Sequence, residues 1–98
     1  MITHILLIEF KASAKPSQIS ALKASFEAMA VKVAGVNSVE WGNNNSPEGL
    51  NKNYTHAVLM TFENEKARAN YLPHPEHEAL KALFLPILEN IVVFDYGV

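Results

Sequence analysis

The stretch that most constrains this chain is its beginning, Ile2 to Phe10, ITHILLIEF. As a strand, it puts Ile2, His4, Leu6, Ile8 and Phe10 on one face and Thr3, Ile5, Leu7 and Glu9 on the other. Both faces carry large apolar side chains, so both need a cover. Ile91 to Tyr96, IVVFDY, poses the same demand at the other end of the chain. Any fold proposed for the sequence must cover these two strands twice over.

The segments between them supply one cover. Pro16 suits the first turn of a helix, entered from Ser13 or Lys15. Ile19, Leu22, Phe26, Met29 and Val33 then recur at steps of three and four, which makes one apolar helical face. Gly35 suits the end of that helix. Val36 to Gly42 reads as a strand, and Asn43 to Asn53, NNNSPEGLNKN, as an exposed connection or flap. Tyr54 to Phe62 alternates as a third strand. Glu63 to Tyr71 reads as a short helix, broken at Pro73 and Pro75. A second helical piece starts at Pro75, with His74 as its N-cap and Leu80, Leu83, Phe84 and Ile87 as its buried stripe. Pro86 ends or kinks it.

The order strand, helix, strand, strand, helix, strand predicts an α+β, ferredoxin-like βαββαβ fold, a four-stranded antiparallel sheet with its helices on one face. Ninety-eight residues suggest one domain, 1–98. Two helices cover one sheet face only. The other face, with Ile5 and Leu7, is a patch that monomers seldom expose. A two-fold partner is the simplest second cover, so a homodimer is expected.

Charge and composition exclude several functions. Net charge is −2, and Lys and Arg form no cluster, which argues against nucleic acid. There are no cysteines, hence no disulfide framework and no thiolate chemistry. No apolar run is long enough to span a bilayer, and MITHILLIEF has no basic leader. A cytoplasmic protein without membrane attachment is the expectation.

Three of the five prolines and two of the four histidines fall between Pro73 and Pro86. His77 lies three residues after His74, so both can lean to one side of the first turn after the break. Tyr71 ends the piece before it. With His4 and His56 near the starts of strands one and three, these groups are expected to converge on a pocket between helices and sheet. The plainer reading leaves His74 as a cap, His77 as a solvated side chain, and His4 and Tyr71 as packing residues. The histidine spacing matches no zinc signature, and no metal is expected.

THILLIEFK at the start, VEWG after the first helix, YTHAVLMTFEN on strand three, YLPHPEH at the broken helix and VVFDY at the end together resemble the stress-responsive dimeric A/B barrel (Dabb) family. The resemblance runs nearly the whole length. It implies a ferredoxin-like monomer whose sheet packs face to face in a dimeric α/β barrel. Within the family the chain is similar to plant polyketide cyclase, which closes a linear poly-β-keto thioester by intramolecular aldol condensation without a cofactor. That likeness implies Tyr71 and His77 as the catalytic pair. It also implies a binding pocket of His4, Leu6, Phe26, His56 and His74 for a small hydrophobic or polyketide-like ligand. Phe26 stands where the cyclase pocket has a tyrosine.

Three functions are therefore in play. The first is a cofactor-free cyclase. The second is a non-catalytic, stress-associated protein that binds small molecules or stabilises partners. The third is a dimeric-barrel monooxygenase. The first needs Tyr71 and His77 beside a cavity.

Overall fold

A computed structural model describes all of residues 1–98. The elements run β1 (Ile2–Phe10), α1 (Pro16–Lys32), β2 (Val36–Asn43), β3 (His56–Phe62), α2 (Glu65–Tyr71), α3 (Pro75–Phe84), a 3₁₀ turn (Leu85–Ile87) and β4 (Leu88–Gly97). The strands form one antiparallel sheet in the order β2-β3-β1-β4, the ferredoxin-like arrangement that the element order predicts. No helix is long and apolar enough to cross a membrane.

Local chemistry accounts for the ends of the helices. Pro16 opens α1, where its missing N–H would have been unsatisfied anyway, and Gln18 Oε1 accepts the Lys15 N–H at 2.9 Å. Asn64 Oδ1 caps α2 by accepting from the Ala67 N–H at 2.9 Å. His74 Nδ1 caps α3 by accepting from the Glu76 N–H at 3.0 Å.

The core lies between the helices and one face of the sheet. Ile2, Leu6 and Ile8 of β1 and Val58, Met60 and Phe62 of β3 meet Leu22, Phe26 and Met29 of α1 and Leu80 and Phe84 of α3. The apolar stripe expected on α3 is partly corrected. Leu83 is 43% exposed, because it borders an open groove beside Ser17, Gln18 and Ala21 of α1, while Leu80, Phe84 and Ile87 are buried. β4 begins three residues earlier than expected, and β3 two residues later. The connection between β2 and β3 is exposed along nearly all its length.

The other sheet face has no cover within the chain. Leu7 lies opposite Val92 and Ala57, and Ile5 opposite Phe94 and Leu59. Phe94 and Tyr96 are 60% and 48% exposed there.

Gly35 is the one tight point between α1 and β2. Its φ is +89°, and a Cβ added there would meet Ala67 Cβ at 2.6 Å. Gly35→Ala should therefore destabilise the fold by about 2–4 kcal/mol, from positive-φ strain and overpacking together. The urea midpoint reads this directly, and an unchanged midpoint would contradict it.

Candidate functional site

The broken helix creates the site. In an unbroken helix the Leu72 carbonyl would accept from the Glu76 N–H. That N–H is taken by His74 Nδ1 instead, so the Leu72 carbonyl becomes an orphan at the end of α2. His77 Nδ1 reaches back to it at 2.8 Å. A carbonyl oxygen can only accept, so Nδ1 carries a proton, and in the neutral ring Nε2 carries the lone pair. The proline break thus fixes the tautomer of His77.

His77 packs against Tyr71, with ring centroids 4.5 Å apart and planes tilted by 50°. The contact is ring against ring. Tyr71 is 2% exposed and also packs on Phe62. Burial pushes its phenol up to about 12, so the hydroxyl stays protonated and acts as a donor across the neutral range. This has a consequence for stability. The unfolded phenol ionises near its ordinary value of 10 and the folded one near 12, so the folded state holds the extra proton between them. The stability is complete below pH 10 and falls by about 2–3 kcal/mol as pH rises from 10 to 12. Urea unfolding across that range should show the loss in the native protein and not in Tyr71→Phe. Parallel curves would refute it.

On the sheet side His4 Nδ1 meets Asp95 Oδ1 at 2.6 Å, and Asp95 Oδ2 accepts from Arg68 Nη1 at 3.1 Å. His4 and Asp95 are direct partners in the β1–β4 register, on the helix-facing side. The ring of His4 stands edge-on to Phe62.

These groups share a cavity of about 310 Å³, open on one side. It lies between α3 and the helix-facing side of β1 and β4, while α1 packs chiefly on β2. Val93 is 57% exposed although it lies on the helix-facing side of β4. His4, Leu6, Phe26, Tyr71 and His77 all line it. The remaining wall is mostly apolar, from Leu80, Phe84, Leu88, Ile91 and Val93. Leu72 and Leu85 make an apolar rim, each more than half exposed, with Lys81 the one cationic group in the lining.

His56 and His74 lie outside this cavity. Antiparallel strands start at opposite ends of a sheet, so the starts of β1 and β3 cannot meet. His4 pairs with Met60, and His56 pairs with Ile8, four residues or about 13 Å further along. There His56 packs among Phe10 and Trp41 and bonds Thr55 Oγ1 at 2.7 Å. Burial lowers its pKa. It borders a separate hollow of about 180 Å³ beside the β2–β3 connection. His74 turns its ring back to cap α3, so its Nδ1 lone pair is already in use.

Sequence reasoning missed Asp95 and Arg68. A signal existed for the first: Asp95 is the only charge in the apolar run IVVFDY. No three His, Cys, Asp or Glu side chains are grouped to hold a metal ion.

Comparison with known proteins gives a consistent picture. The chain is 33% identical over 95 residues to the stress-response A/B barrel domain-containing protein HS1 of Arabidopsis thaliana, covering 97% of this chain and 87% of that one. It is 23% identical to olivetolic acid cyclase of Cannabis sativa, covering 97% of this chain and 94% of the cyclase. Among solved structures, an Arabidopsis thaliana protein superposes with a TM-score of 0.92 at 32% identity, covering all of this chain and 95% of that one. Hydroxynitrile lyase from Passiflora edulis gives 0.90 at 25% identity, covering 97% and 90%. A ferredoxin-like protein from Bacteroides fragilis, described as dimeric, gives 0.76 at 23% identity, covering 99% and 95%. The family profile described as Stress responsive A/B Barrel Domain matches residues 2–98, nearly the whole sequence, and the chain belongs to that family, Dabb.

Proposed function

We propose that this protein is a cofactor-free acid–base enzyme of the polyketide cyclase type, acting on a small, largely apolar molecule with β-related carbonyl groups. The observation that carries the reading is the cavity wall. A proton acceptor of fixed tautomer, His77 Nε2, and a phenol donor, Tyr71, stand side by side in a mostly apolar hollow. Its volume lies at the low end of the roughly 300–1,000 Å³ typical of small-molecule sites.

The steps balance without a further reactant. His77 Nε2 takes a proton from the carbon between two carbonyl groups, which those groups already acidify. The enolate carbon attacks a third, more distant carbonyl carbon of the same molecule, forming a C–C bond and leaving an alkoxide. Tyr71 donates a hydrogen bond to that oxygen, and the proton held on His77 returns to it. Loss of water then completes a condensation. The apolar wall confines water to the open side of the cavity, which limits its competition for the donor and the base. Likeness to olivetolic acid cyclase supports ring closure as the form of the reaction. Phe26, stacked edge-on against Phe84, gives this cavity a hydrocarbon wall and favours a substrate with an apolar group there.

We also infer that the working unit is a homodimer closed through the open sheet face. The apolar side chains left uncovered on that face, and the dimeric description of fold neighbours, support it.

The test is a panel of linear β-keto thioesters incubated with the protein, with cyclised products read by mass and ultraviolet absorbance. Ring-closed product above the uncatalysed background is expected. Binding of the same compounds without product would leave the cavity as a binding site and favour the non-catalytic reading.

A further inference from the structure

The interior holds a second imidazole that is anchored through charged partners. His4 presents Nδ1 to Asp95, and Asp95 presents its other oxygen to Arg68. The three side chains are 11%, 22% and 31% exposed, so solvent screens the chain only partly. An ionised carboxylate only accepts, so His4 Nδ1 donates, and in the neutral ring Nε2 keeps the lone pair. No buried side-chain nitrogen or oxygen lacks a partner, and Nε2 has none within the protein. It is therefore open to the cavity that His4 lines. His4 and His77 are thus held in the same tautomer, one by a carboxylate and the other by a backbone carbonyl, and both face one space.

We propose that Arg68 is a positioning residue for this site, acting through Asp95 to hold His4 as a second proton acceptor toward the bound molecule. The proposal rests on the acid–base reading of the cavity. Asp95 projects from an edge strand, and the terminal torsion of an aspartate is broad. One hydrogen bond to His4 leaves the carboxylate free to pivot about that oxygen. The second contact, from Arg68, fixes the plane of the carboxylate and so the direction in which Oδ1 meets the ring. Arg68 sits one helical turn before Tyr71 on α2. The same short helix therefore supplies the phenol of the cavity and steers one of its imidazoles. For ring closure this provides two acceptors and one donor in one cavity: His77 removes the carbon-bound proton, and His4 orients or receives the proton of a second enol or hydroxyl group.

Arg68 contacts Asp95 through a single nitrogen, so lysine can replace it and methionine cannot. In the full-length protein at about pH 8, above the ordinary imidazole value, long-range ¹⁵N–¹H correlations read each tautomer from its ring nitrogens. His4 should show a protonated Nδ1 and an unprotonated Nε2. In Arg68→Met the two His4 nitrogens should move toward a common averaged shift, while His77 keeps its pattern. Arg68→Lys should restore His4. On whichever β-keto thioester the native protein turns over, Arg68→Met should lower kcat roughly 10- to 100-fold at little change in KM, the scale known for the outer partners of metal-bound imidazoles. An unaltered His4 pattern in Arg68→Met would overturn the proposal, as would equal damage in Arg68→Lys. Absence of turnover in the native protein bears on the proposed function instead, because the nitrogen shifts still decide whether Arg68 positions His4.

Discussion

Replacing His77 with alanine should remove turnover while leaving the protein folded. General-base help contributes roughly 10²–10⁴-fold, about 3–5 kcal/mol of barrier. The fold has a modest stake in this side chain, chiefly its ring contact with Tyr71. His77 is half-buried, in the first turn of α3, and its one side-chain hydrogen bond satisfies a carbonyl at the end of α2 that water can reach in its absence. Circular dichroism and the urea midpoint should therefore stay close to those of the native protein. Tyr71→Phe divides the roles in a second way. It keeps the ring against His77 and Phe62 and deletes only the hydroxyl, so it should cost roughly 10²–10³-fold in kcat, the usual loss for one donor to a developing oxyanion. Turnover in His77→Ala within about threefold of the native rate, far less than loss of a general base costs, would end the assignment of His77 as the base.

The second large effect is expected on the opposite side of the sheet. Leu7 is central in the uncovered face, on an inner strand, with Ala57 and Val92 as cross-strand neighbours. Covering such a side chain contributes roughly 1.5–3 kcal/mol, and a two-fold axis counts it twice. Leu7→Asp would replace that gain with two unpaired carboxylates near the axis, each costing several kcal/mol to desolvate. Sedimentation should show the mass fall from dimer to monomer, or the chain should unfold. Val31→Asp is the control, because Val31 is 90% exposed on α1, away from the sheet. A native protein that sediments as a monomer, or a Leu7→Asp variant that remains a dimer, would remove the sheet-face dimer.

The two experiments test different layers of the molecule. The cavity lies between helices and sheet, and the proposed contact lies on the far side of the same sheet. Because β1 and β4 have one face in each, a dimer-disrupting charge at Leu7 sits next in sequence to cavity-lining Leu6. Loss of activity in Leu7→Asp is for this reason not a test of the site, whereas loss in His77→Ala with the dimer intact is.

Local periodicity was enough to determine the elements, their order and the two-sided character of the terminal strands. Each of these depends only on side chains a few residues apart. The proline break was equally legible: Pro73 and Pro75 fix where α2 must stop, and His74 was readable as the cap of α3. So was the presence of Tyr71 and His77 on either side of that break, but not their ring contact, since six residues of chain can span about 20 Å. What the sequence could not supply was strand register. Asp95 meets His4 across 91 positions of chain, and Arg68 meets Asp95 across 27, through a pairing that no local pattern encodes. Register also separated His56 from His4, which sequence position alone had placed together, because antiparallel strands run their starts to opposite ends of the sheet. The exposure of Leu83 had the same origin: helical spacing gives a stripe, but the packing of α3 against its neighbours decides where that stripe ends. Directions along one element follow from the residues within it, whereas meetings between elements follow from packing the whole chain at once.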